Sequence, residues 1–260
     1  MKGLFMTPEV QNAAIGCLEE GTQKIINLYT YTALLLNACD VAAKGYEARK
    51  DNFQLSTTMY IPDSLRLPVE VERKVEVVFH RNDLPGAYRG EALKKLAEDF
   101  MIRMVAVMDD VLEDIYEKTL PLVFPDLSEA DIAKKVRASW CQDKNDHVNI
   151  FNFLVNDAGL KSPKGRRSTL DMVFDRYYEM REIRHALVHS AGILSEKSKV
   201  RLNSLAERLP KDLRTGSLAL KPFLTDGVVK LTGLEILMLR HWAYTTIMDY
   251  LKNSFKESGS

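Results

Sequence analysis

Cysteine is scarce in this 260-residue chain: Cys17, Cys39 and Cys141 lie far apart, with no CxxC and no Cys/His spacing. So sparse and odd a set excludes a disulfide framework and a thiolate zinc site, and points to a reducing compartment. Net charge is lacking as well. Lys plus Arg and Asp plus Glu number 36 each, whereas a protein that grips nucleic acid without sequence preference is usually basic. Any RNA or DNA contact must therefore be local, transient or shared between subunits. Long apolar runs are also missing. The stretch YTYTALLLNAC, between Asn27 and Asp40, is too short to span a bilayer. MKGLFMTPEVQ has no apolar core after its lysine and does not read as a secretory signal. The expectation is a cytoplasmic protein with no membrane partner.

What is present is ordinary for a globular chain. A hydrophobic share of 46% beside 28% charged residues suits a soluble domain, and the length suffices for a sizeable core. Thr7-Pro8-Glu9 is a helix start: a hydroxyl cap, proline in the first turn, an acid at the positive dipole end. The helical pattern runs to about Arg49, with Gly16 and Gly21 weakening its beginning. Residues 51–68, carrying Pro62 and Pro68, read as a connection. VEVERKVEVVF alternates like a strand, although Val71, Val75 and Val78 also fit a helix. RNDLPGAYRG, residues 81–90, is the best internal boundary, which makes residues 1–85 a mainly helical N-terminal accessory segment.

Beyond it, Leu93, Leu96, Phe100, Val107, Val111 and Ile115 keep helical spacing from Glu91 to Thr119, with Pro121 after the end. Ser128 and Asp131 cap a helix running to about Trp140. HVNIFNFLVNDAGLKSP is a further helix, stopped by Gly159. Ser168 with Asp171 opens the next. Asp226-Gly227 between apolar residues signals a hairpin within 223–232. A closing helix, about Leu234 to Leu251, precedes a polar tail, 253–260. The predicted fold class is mainly α, a helical bundle with a helical N-terminal extension and a short hairpin.

The most informative stretch is REIRHALVHSAG, residues 181–192. On a helix, Val173, Met180, Ile183 and Leu187 fall on the core side, and Arg181, Glu182, Arg184, His185 and His189 spread over the opposite one. These side chains suit RNA cleavage. RNA carries its own nucleophile, the 2′-hydroxyl, beside the scissile phosphate. Histidine supplies an acid or base near neutrality, and arginine's planar fork stabilises phosphate charge. No metal or other cofactor is required. Arg184 and His189 point about 140° apart on an ideal helix, so convergence calls for a second copy across a two-fold axis.

Arg184, four residues and then His189, with a polar residue directly after the arginine, resembles the Arg-x4–6-His signature of HEPN-domain ribonucleases. The resemblance covers roughly residues 90–252, the span of a HEPN-like helical domain. It implies a metal-independent endoribonuclease, working as a homodimer, with Arg184 and His189 catalytic and His185 in the polar position. It also implies a toxin or anti-phage effector restrained by an antitoxin or regulatory protein. The basic loop KSPKGRRS, with Lys161, Lys164, Arg166 and Arg167, is a candidate RNA guide, or a solvated loop. Arg181 and Tyr177 are candidate RNA contacts; Arg181 also reads as a salt-bridged surface residue, and of Tyr177 and Tyr178 at least one reads as core. His185 and His189 have the i, i+4 spacing of helical zinc sites, but Arg184 would set a positive charge beside the metal. Asp109, Asp110, Glu113 and Asp114 read as a solvated acidic face, or a carboxylate metal site. His80, His147 and His241 are scattered singles. A non-catalytic helical module that binds a partner protein or nucleotide is the alternative reading of the whole.

Overall fold

A computed structural model describes residues 6–138, 148–214 and 224–259. Trp140, Cys141, His147 and Phe223, named above, lie outside the described residues.

Helix α1 spans Pro8–Ala48, and the Thr7 hydroxyl accepts from the Val10 amide as the Thr-Pro-Glu sequence predicts. Its buried residues, among them Val10, Ala14, Leu18 and Ile25, join one hydrophobic cluster with Phe100, Met104, Met108 and Ile115 of α4, Leu93–Val123. This α1–α4 pairing is the most extensive in the fold. That cluster crosses the expected boundary near residue 85: α1 is part of the same core as the helices that follow it. Gly21 marks the closest approach, since a Cβ there would lie 2.2 Å from Cγ2 of Val111. Valine in a helix has no second comfortable rotamer. Gly21→Ala should therefore lower stability by about 1–3 kcal/mol. Gly16→Ala, with nothing within 4 Å, should raise it by about 0.5–1 kcal/mol from helix propensity. Urea titration of both variants checks the pair.

The far half of α1 behaves differently. Tyr31, Leu34 and Val41 are well exposed, and an 18-residue window of this helix has mean hydropathy 1.2 with only 17% of it buried. By length and composition α1 is thus apolar enough to cross a membrane, which the short run read from the sequence had excluded. Residues 54–80 add a two-stranded antiparallel sheet, β1 (Gln54–Ser56) with β2 (Val78–His80), pairing Leu55 with Phe79. Between them, Val69–Val75 form a short helix, α2, where alternation had suggested a strand. Pro68 opens it and Glu70 and Glu72 fill its first turn, a helix-start arrangement that outweighs the alternation.

Leu84–Ala87 (α3) leads through a wide turn, Tyr88–Ala92, into α4. That helix passes through Pro121 and ends at Val123 rather than Thr119. Proline so near the end forfeits a single backbone bond, and the Phe124 amide still closes on the Leu120 carbonyl. Helix α5, Glu129–Arg137, is capped by Ser128 as expected. Helix α6, Val148–Asn152, continues as a π turn, Phe153–Asp157. Gly159 follows at φ 73, and Leu160 folds back into the core.

Helix α7, Leu170–His189, is capped by Thr169, not Ser168, whose carbonyl instead accepts from the Tyr250 hydroxyl. Helix α8 follows, Glu196–Glu207, capped by Ser195. The hairpin is present: β3 (Leu224–Thr225) pairs with β4 (Val228–Val229) around Asp226 at φ 52 and Gly227 at φ 76. Thr232 and Glu235 form a capping box for α9, Gly233–His241. A π stretch, Trp242–Met248, joins it to α10, Asp249–Ser258. The expected polar tail is therefore a docked helix. Phe255 is fully buried within it and Ser254 bonds back to the Tyr250 carbonyl. Phe255→Ala should cost about 3–5 kcal/mol, read as a lower melting temperature by calorimetry.

The architecture is mainly α, with two small antiparallel sheets among the described residues.

Candidate active site at the end of helix α7

Helix α7 lies inside the molecule. All residues from Val173 to Ile183 are buried, as is Ala186. Of the polar face expected of it, Arg181 and Glu182 are buried, because neighbouring helices supply partners for their charges, whereas His185 and His189 remain exposed. Asp109 of α4 is the hub. It is 4% exposed, accepts from the Tyr177 hydroxyl and from Nη1 of Arg184 at 2.9 Å, and forms an ion pair with Arg181 at 3.3 Å. Burial, then the nearby carboxylate, pushes the Tyr177 phenol well above its ordinary range. Three further buried or half-buried ion pairs line the helix. Arg176 meets Glu179 at 2.8 Å, Glu182 meets Arg201 of α8 at 2.9 Å, and Asp175 meets Arg208 at 2.6 Å. Burial draws the Arg176 guanidinium down from its usual range, opposed by Glu179 and Asp175.

Two of the expected RNA contacts are therefore corrected. Tyr177 is 1% exposed and cannot stack on a base. Arg181 is buried and committed to Asp109. Asp109 was not singled out from its acidic neighbours, and the structure makes it the central residue. No group of three or more His, Cys, Asp or Glu side chains placed to hold a metal ion occurs among the described residues.

The three remaining motif residues gather at the C-terminal end of α7. Arg184 is half-buried: its side chain keeps 32% of its exposure while Nη1 holds Asp109, and its buried Nε has no hydrogen-bond partner among the described residues. His185 and His189 are exposed, with ring centroids 4.7 Å apart. The turn after them is fixed by backbone geometry. Ala191 (φ 49) and Gly192 (φ 83) take left-handed conformations, and the amides of Ser190 and Gly192 both bond to the Ala186 carbonyl. Ile193 then bridges Val228, the Leu194 amide bonds to the Gly227 carbonyl, and the Val229 amide bonds to the Gly192 carbonyl.

The basic loop sits elsewhere. Lys161, Lys164, Arg166 and Arg167 precede the N-terminal end of α7, about 28 Å along the helix from His189. Arg166 faces Asp249 at 3.7 Å and Arg167 pairs with Asp212. The Lys164 amide bonds to Glu257. This loop is thus tied to α10 and partly neutralised, not placed beside the histidines.

The sequence matches no protein-family model, and it finds no match among curated proteins or solved structures.

Proposed function

We propose that the chain is a metal-independent endoribonuclease of HEPN type that acts as a homodimer, with its site at the end of α7. One observation carries this reading: at one end of α7, a guanidinium anchored by a buried carboxylate and two solvent-facing imidazoles with ring centroids 4.7 Å apart, tilted at 46°. Anchoring removes rotamer freedom from Arg184 before a phosphate arrives, and preorganised charge is what stabilises a transition state. His189 is the general acid/base, and His185 orients the scissile group. As the 2′-oxygen gives up its proton and bonds to phosphorus, the bond to the 5′-oxygen breaks. That oxygen leaves protonated, giving a 2′,3′-cyclic phosphate and a 5′-hydroxyl. Arg184 and His189 diverge by about 140° around one helix, so a second copy of α7 across a two-fold axis completes the site. An antitoxin or regulatory partner follows from the same reading.

A second reading rests on the same ion pairs. Arg181 and Arg184 both answer Asp109, an arrangement that also serves to lock α7 to α4 in a non-catalytic module that binds a partner protein or nucleotide. The experiment separating them is incubation of purified protein with RNA in EDTA, with end-group analysis of the products. Cyclic phosphate ends, and sedimentation as a dimer, support the ribonuclease. Intact RNA sinks it and leaves the module.

A further inference from the structure

Alongside α7 lies an open cleft of about 320 Å³, walled by α6, α7 and α8. Its size is at the small end of the range for ligand sites. Phe151, Phe174 and Tyr178 make one wall, with Phe151 and Phe174 edge to face at 4.7 Å. Arg201 and Arg208 stand on the other side, two turns apart on α8 and its C-cap. Each is positioned by an acid of α7, Glu182 for Arg201 and Asp175 for Arg208. Arg208 nevertheless keeps 58% of its side chain exposed. At the rim, Asp171 is exposed in the first turn of α7.

The cleft and the histidines share one face. Asp171, Asp175, Tyr178, Glu182, His185 and His189 recur at spacings of four and three, which is one side of a helix. Tyr178 lies about 16 Å along the axis from His189. The Glu182–Arg201 pair covers the helix between them, so a single strand passing over that pair would meet the imidazoles at one end and the aromatic cleft at the other. Aromatic walls accept bases, and arginine forks accept phosphate oxygens. A carboxylate adds selectivity, because its two acceptor oxygens match paired N–H donors. Among the four RNA bases, guanine offers such a pair on its Watson–Crick edge.

We propose that this cleft holds a guanine nucleotide of the RNA substrate: base against Phe151, phosphate on Arg208 and Arg201, guanine edge on Asp171. The inference rests on the ribonuclease reading for its substrate but not for its test, which needs no cleavage. Binding of GMP, IMP, AMP, CMP and UMP is measured by calorimetry and by NMR shifts of the Phe151 and Tyr178 rings. GMP should bind with a dissociation constant below about 1 mM and exceed IMP, which lacks the exocyclic amine, by about tenfold. Asp171→Asn should erase that margin while leaving AMP unchanged. Arg208→Ala should weaken every monophosphate. A short oligoribonucleotide with one guanine should bind better than the same oligomer with inosine there. Thermal melting of Asp171→Asn within 2 °C or so of the parent, as its exposed site allows, assigns its loss to the cleft. Arg208→Ala also unpairs the buried Asp175, so its binding is measured below its own melting transition, and Arg208→Lys, which keeps a cation there, should recover part of the affinity.

Equal binding of all five nucleotides, or none, overturns the proposal. GMP binding without any guanine advantage in the oligomer overturns the substrate assignment and leaves a free-nucleotide site. RNA cleavage without GMP binding sinks the cleft alone. GMP and oligomer binding without cleavage sinks the ribonuclease alone.

Discussion

Asp109→Ala is expected to destabilise the protein by about 3–5 kcal/mol, because it strips the counter-charge from a buried guanidinium. Asp109 is 4% exposed and Arg181 9%. With the carboxylate gone, Arg181 stays in the interior as a cation, and the Tyr177 hydroxyl loses its acceptor. Neither group can reach water without opening the α4–α7 contact. For a chain of this size the loss corresponds to a fall of about 6–20 °C in melting temperature. Two controls locate the effect. Tyr177→Phe deletes one hydrogen bond and leaves the charges paired, so it should cost about 1 kcal/mol. Arg184→Ala removes the outer, half-exposed cation and leaves Arg181 on Asp109, so about 1 kcal/mol or less is expected. Differential scanning calorimetry on the three variants is the measurement. If Asp109→Ala melts within a degree or two of the parent, the hub does not exist in solution.

His189→Ala is expected to do the opposite: abolish RNA cleavage and leave the fold intact. The residue is exposed, so its removal should move stability by no more than about 0.5 kcal/mol. Loss of the proton-transfer group should lower the cleavage rate by about 10²–10⁴-fold. Arg184→Ala should lower it comparably, by about 10²–10³-fold, if the guanidinium stabilises phosphate charge. The parent rate should be insensitive to EDTA, because the proposed mechanism uses no metal. A His189→Ala protein that cleaves at the parent rate places any nuclease activity elsewhere on the chain.

Much of the scaffold is legible in the sequence because caps and turns are local chemistry. Thr7 before Pro8, Ser128 before Asp131 and Asp226 before Gly227 each specify their backbone within a few residues, and the structure agrees at all three. The misread segments are those where distant residues decide. KNSFKES reads as a solvated tail because its one aromatic, Phe255, finds its pocket on α1, some 240 positions away. Arg181 and Glu182 read as a solvated face because their partners sit on α4 and α8. A signal for Asp109 was nevertheless present. Of the four clustered acids Asp109, Asp110, Glu113 and Asp114, it alone lies four residues after Val105 and three before Leu112, both core positions. Asp110 and Asp114 fall on the far side. Spacing thus separated a buried acid from its solvated neighbours, but only reading them as individuals reveals it.

The turn beyond His189 has a mechanical meaning. Gly192, Ile193 and Leu194 are stitched to Gly227, Val228 and Val229 by main-chain bonds, so the chain leaving the imidazole pair is held by a hairpin well downstream. Two segments far apart in sequence thus close one short irregular strand against the end of α7.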